Sequence, residues 1–328
     1  MKISIRLSSD LSPERVLEGA DGAAAAGLSG VWLADNPLER SAPISAAVIA
    51  ARHPQLDIGL GIVSARDRHP VVLTQEMVAL QSYTRGRVAV GLGLQSDEHR
   101  KLLGLPARSG LELLRTTAGL ITELSAGREV PALGEGAGGG TIRLKVTADA
   151  PLPVFVGAMG PKTLALAGEV AHGAVLSLGT TAVAARDALG TARAHFTPSE
   201  VADHFDGVCY VGFGGVGEGS YARLETFAAG YLRIIVAHPF LSMLLDGTGL
   251  DLAQAAEVVA AYDAGTPVPR EVVTVMGIGG SLEECLAQLQ AYADAGVDDV
   301  ALGIGLWNDT LPATLADVAT LARAWSQR

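Results

Sequence analysis

Cysteine is nearly absent from this chain. Its 328 residues hold two, Cys209 and Cys285, and neither sits in a CxxC pair or a Cys/His cluster. That excludes a disulfide framework and a thiolate zinc site, and it fits two reduced thiols in a cytoplasmic protein. Aromatic residues make up only 5%. Ala, Val, Leu and Gly must therefore fill the core, as in parallel sheets wrapped by helices. Positive charge is also scarce: 24 Lys and Arg stand against 35 Asp and Glu, a net charge of −11. This balance argues against nucleic acid or an anionic membrane as partner. No apolar run is long enough to cross a bilayer, and MKISIRLSSD at the N-terminus lacks the apolar stretch of a signal peptide.

What is present is alternation. Short apolar runs at 2–7, 30–34, 56–63, 87–93, 154–157, 173–177, 207–213 and 298–303 read as strands. Helical periodicity occupies 12–26, 71–83, 162–171, 221–236, 281–295 and 311–325, with Ser12-Pro13 as a cap and first-turn pair. Eight strands that alternate with helices predict an α/β fold, a (β/α)8 TIM barrel, as one domain over 1–328. An open doubly wound sheet would carry GxGxxG after its first strand. Here that strand ends in Leu7-Ser8-Ser9-Asp10. Three stretches exceed a minimal barrel, and the first two are a glycine loop plus hairpin at 127–151, after helix 4, and a helical insertion at 238–270, after helix 7. The segment 272–280 reads as an apolar link.

Barrel chemistry gathers at the C-terminal strand ends. Those ends carry Asp35 and Asn36, Gly59 and Gly61, Gly91 and Gly93 with Gln95, Gly157 to Pro161, and Ser177 to Thr180. Glycine on three adjacent strand ends predicts a flat ligand lying across the mouth. The turn in PVFVGAMGPKTLALAGE is too short for a Walker A loop. Its helix start still favours an anion, with Pro161 suited to the first turn.

The stretches GVWLADN, LGIVSARDRHP, GRVAVGLGL and PVFVGAMGPKTLALAGEVAHGAVLSL, with SLEECLAQLQAYADAGVDDVAL near the end, resemble the luciferase-like monooxygenase superfamily. Within it they are most similar to the coenzyme F420-dependent reductases, the branch of methylenetetrahydromethanopterin reductase. The resemblance implies a flavin-type oxidoreductase working as a homodimer on a small molecule, with F420 as cofactor and FMN as the alternative. It implies a non-prolyl cis peptide at Gly61-Ile62 behind the ring, with Val63 nearby. Gly93, Gln95 and Asp97 would lie beside the ring and its polyol. One phosphate would rest on Gly157, Ala158, Met159, Gly160 and Pro161, helped by Ser177 and Thr180. Asp35 and Asn36 would face the ring edge as catalytic groups. A carboxylate in so apolar a mouth is expected to have a raised pKa, which suits an acid. Arg66, Arg68 and Lys162 would supply cations for an acidic cofactor tail.

Departures from the branch pattern carry information. Asn36 stands where several relatives have His, and an amide cannot act as a general acid. Leu94 stands where the sugar-phosphate-oxidising branch has Glu, which argues against that oxidation. His172 replaces an Asp before strand six and reads as structural. No metal motif and no GxSxG nucleophile turn occur. A non-catalytic flavin-binding barrel is the remaining alternative. Substrate choice falls to the two insertions, including His238, Phe240, Met243 and Tyr262.

Overall fold

The first strand sets the pattern for the barrel. In β1 (Lys2–Leu7) the odd positions Ile3, Ile5 and Leu7 are buried against helices, while Ser4 and Arg6 take the opposite, inner face. The computed structural model describes residues 1–84, 87–133, 140–148, 150–198, 202–304 and 311–328.

The chain runs β1, α1 (Pro13–Ala25), β2 (Gly30–Leu33), α2 (Ala42–Arg52), β3 (Asp57–Ser64), α3 (Pro70–Gln81) and β4 (Val88–Gly93). Next come α4 (Asp97–Leu102), α5 (Gly110–Ser125), the short strands β5 (Val130–Pro131) and β6 (Thr141–Ile142), then β7 (Val154–Gly157), α6 (Pro161–Val170), β8 (Gly173–Leu176) and α7 (Ala182–Arg193). It ends with β9 (Asp206–Val216), α8 (Ser220–Ala237), a 3₁₀ turn (Pro239–Leu245), α9 (Leu252–Asp263), α10 (Arg270–Val275), β10 (Gly277–Gly280), α11 (Leu282–Asp294), β11 (Asp299–Ile304) and α12 (Leu311–Ser326).

Strands β1, β2, β3, β4, β7, β8, β9 and β11 pair in parallel, and β11 returns to β1, closing a (β/α)8 barrel. The expected hairpin is present as the antiparallel pair β5–β6, although its tip at 134–139 lies outside the described residues. The insertion after α8 is helical as expected. One expectation fails. The link at 272–280 contains a short helix and then a strand, β10, whose GIGG sequence has little strand propensity. Pairing with the far half of β9, which runs three residues past its expected end, makes it a strand.

The barrel interior is closed by a few large rings. Trp32 meets Phe155 edge-on at 5.7 Å and Tyr210 at 6.0 Å between ring centroids. Such pairs contribute about 0.5–1.5 kcal/mol each beyond area burial. Among the described residues no helix is long and apolar enough to cross a membrane.

Candidate active site

Above those rings, at the C-terminal strand ends, lies a cavity of about 460 Å³. Arg6 and Ser8 line it from β1, Asp35 and Asn36 from beyond β2, Gly61 and Ile62 from β3, and Gln95 from beyond β4. Gly157, Ala158 and Met159 close another side, with Ser177 and Leu178, while Tyr210 and Tyr231 enter from β9 and α8.

The Gly61-Ile62 peptide is cis. Tyr210 fixes it from below, its hydroxyl donating to the Gly61 carbonyl at 3.0 Å. The Ile62 side chain then reaches toward β4 and β7. A Cβ on Gly93 would overlap Ile62 Cδ1, and one on Gly157 would stand 2.7 Å from Ile62 Cγ2. A Cβ on Gly61 would strike the Tyr210 hydroxyl, and one on Gly59 the Trp32 ring. The glycine cluster is thus explained first by the protein's own side chains, and a flat ligand is not needed to account for it. That corrects the reason given from sequence.

Asp35 is buried, and its carboxylate is committed. One oxygen accepts the Ala42 N–H at 2.9 Å, which satisfies a donor at the start of α2, and both lie 3.3 Å from Arg68 Nη2. Gln95 takes a left-handed backbone (φ 50) and donates its amide to the Asp35 carbonyl at 2.9 Å. Asn36 accepts the Leu38 N–H through Oδ1 at 3.1 Å, which closes the turn beyond β2.

The other expected residues are placed elsewhere. Asp97 does not line the cavity. It opens α4 on the surface, where hydrogen bonding to Arg100 lowers its pKa to about 2. The raised pKa expected of it is therefore wrong, because solvent and two cations replace the apolar mouth. Val63 and Gly93 are wholly packed within the sheet. Leu94 packs toward Gly110 of α5. Pro161 and Thr180 line a neighbouring cavity of about 170 Å³ that shares Met159 with the first.

The turn from β7 into α6 leaves donors free. The Ala158 N–H goes to the Val175 carbonyl at 3.3 Å, and Gly160 caps α6 without a side-chain hydrogen bond. Among the described residues Met159, Gly160 and Lys162 find no acceptor for their N–H groups. Six other helices receive a side-chain cap, from Ser12, Ser96, Ser109, Thr181, Asp251 and Ser281. This one presents bare amides and the positive end of its dipole, an arrangement suited to an anion. His172 behaves as a structural group: it is buried, and its Nδ1 accepts the Val154 N–H at 2.9 Å.

Arg6, Tyr210 and Tyr231 are among the lining residues that sequence reading passed over. The signal was available in KISIRL, whose strict alternation turns Lys2, Ser4 and Arg6 to one face. A second cavity, about 390 Å³, opens at the opposite end of the barrel. There Asp298 receives Arg193 at 2.8 Å, the Gly207 N–H at 2.7 Å and His204 at 3.1 Å, a set that ties strand starts together.

Comparison with known proteins adds the following. The luciferase-like monooxygenase family matches residues 1–299. The 5,10-methylenetetrahydromethanopterin reductase of Methanolobus tindarius is 25% identical over 288 residues, covering 84% of this chain and 86% of that protein. The F420-dependent glucose-6-phosphate dehydrogenase of Beutenbergia cavernae is 31% identical over 134 residues, 40% of each chain. The solved structure of the coenzyme F420-dependent tetrahydromethanopterin reductase from Methanopyrus kandleri has the same fold, with a TM-score of 0.80 at 19% identity over 98% of this chain and 97% of that one.

Proposed function

The chain belongs to the luciferase-like monooxygenase family, and from that premise we propose that it is an F420-dependent oxidoreductase acting on a C=C or C=N bond of a small organic substrate. The observation that carries the reading is the pairing, on one cavity, of the Gly61-Ile62 floor, held by Tyr210, with the turn into α6, whose Met159 N–H is free among the described residues. When bound, the deazaflavin supplies or accepts the hydride. Two of the similar proteins support the cofactor by name: the Methanopyrus kandleri reductase structure is coenzyme F420-dependent, and the glucose-6-phosphate dehydrogenase matched over 40% of the chain is F420-dependent.

The chain's own residues have these roles in the proposal. Gly61 and Ile62, held by Tyr210, form the face against which the ring lies. Met159, Gly160 and Lys162 offer N–H groups to a phosphate, with the Ser177 hydroxyl on the same wall. Asn36 and Gln95 border the ring edge as neutral amides. Asp35 positions Arg68 and α2, and it gives no proton. Tyr231 is different: burial raises its pKa, so its hydroxyl, beside Ser177, keeps its proton at neutral pH and can donate a hydrogen bond into the cavity. Sugar-phosphate oxidation is not part of the proposal, because Leu94 offers no carboxylate. A homodimer is.

Titration of the purified protein with F420 and with FMN, followed by ligand fluorescence, tests the reading. Saturable F420 binding well ahead of FMN is expected. Tighter FMN binding would move the protein to the monooxygenase side of the family, and binding of neither would sink the proposal.

A further inference from the structure

Two arginines near the mouth are paired with carboxylates, and a third, on the cavity wall, is not. Arg68 is paired with Asp35 and Glu76, and Arg66 reaches Asp97 at 4.0 Å. Arg6 lines the same cavity, yet among the described residues its side chain has no carboxylate within ion-pairing distance and donates no hydrogen bond. Its Nε is buried without a partner. The nearest compensation is the Tyr210 ring, whose centroid lies 5.9 Å from the guanidinium carbon. A contact at that range contributes about 0.5–1 kcal/mol where exposed, far less than desolvation of an unpaired cation costs. The two carboxylates on the cavity wall form no ion pair with Arg6: Asp35 is held by Arg68, and Glu39, which accepts from Ser9, is exposed to solvent.

We propose that Arg6 is the anchor for a carboxylate on the substrate, so that this enzyme acts on small organic acids. The redox part of that statement rests on the function proposed above, whereas the binding part does not. Position argues for substrate over cofactor phosphate. Of the eight barrel strands β1 is the first and β7 the fifth, so Arg6 stands across the barrel from the bare amides of the α6 turn. Chemistry argues for carboxylate, because the planar guanidinium fork matches its two oxygens. The hydroxyls of Ser8 and Tyr231 line the same cavity as neutral donors for the rest of an acid.

The test is calorimetric titration of wild type, Arg6→Lys and Arg6→Gln with acetate, benzoate and trans-cinnamate, each with and without F420. Cinnamamide is the neutral control and phenyl phosphate the competing anion. At least one carboxylate should bind wild type, and Arg6→Gln should lose about thirtyfold or more of that affinity. Arg6→Lys should fall between the two. Cinnamamide should bind all three proteins alike, and F420 affinity should be unchanged by Arg6→Gln. The variant should melt at or above wild type, because it removes an unpaired charge. Carboxylate binding indifferent to Arg6→Gln, or absent at millimolar concentration, would overturn the proposal. So would F420 affinity falling in step, tighter binding of phenyl phosphate than of cinnamate, or a melting point well below wild type. Failure of wild type to bind F420 would instead sink the redox reading and leave the carboxylate comparison standing.

Discussion

His172 shows how a residue's type conceals its task. Histidine beside a barrel strand invites an acid–base role, but burial lowers its pKa below the ordinary 6.5, and its Nδ1 is occupied by a backbone N–H. The unfolded chain binds a proton there that the folded chain refuses. Its stabilising contribution is therefore present above the unfolded pKa and is lost as pH falls through the folded one. Unfolding free energy measured from about pH 7.5 to about pH 5 should fall more steeply in wild type than in His172→Asn, which keeps an acceptor for Val154 but cannot titrate. Equal slopes would mean that the ring is not held neutral. Asp35 teaches the converse. Its place at a strand end was legible, but its use was not, because the partners Arg68 and Ala42 come from elements that only folding brings together. Arg6 was missed for a simpler reason: an arginine in a strand reads as surface until the inner face of a closed barrel is recognised.

At the scale of elements, periodicity was a good guide, and most strands and helices begin and end within a residue or two of their expected bounds. The failure at β10 has a physical cause, since a strand of three glycines and one isoleucine is defined by its partner rather than by propensity. Helix α6 yields the sharpest element-scale expectation. Gly160 has extended geometry (φ −83, ψ 154) and open space where a Cβ would go. Gly160→Asp should therefore supply the missing cap and raise the stability of the ligand-free protein by about 0.5 kcal/mol. The same carboxylate would occupy the amides and repel a phosphate, weakening F420 binding by about tenfold or more. Chemical denaturation and cofactor titration of the one variant check both signs. A stabilised variant with undiminished F420 affinity would place the phosphate elsewhere.

For the whole molecule the fold was legible because a barrel repeats its signal eight times, while the site was legible chiefly at the C-terminal ends of its strands. Side chains that enter from the far wall, such as Tyr210 and Tyr231, carry no such mark. Ligand linkage gives an expectation at this scale. F420 at a hundred times its dissociation constant should stabilise the folded protein by about 2.7 kcal/mol, a rise of roughly 5 °C in Tm. No shift in calorimetry, at a concentration that saturates fluorescence, would mean binding to a surface that unfolding does not destroy. Trp32 also gives the molecule an optical gauge. Its indole N–H is fastened to Asp299 at 3.0 Å toward one mouth of the barrel, and its six-membered ring underlies Gly59 and Gly61 at the other. In so dry a setting its emission should lie at the blue end of the tryptophan range. An absorbing ring that settled on the Gly61-Ile62 floor would dim it. With only three tryptophans in the chain, replacing Trp307 and Trp325 by phenylalanine would leave Trp32 as the sole emitter, so that occupancy of the mouth could be watched from within without a label.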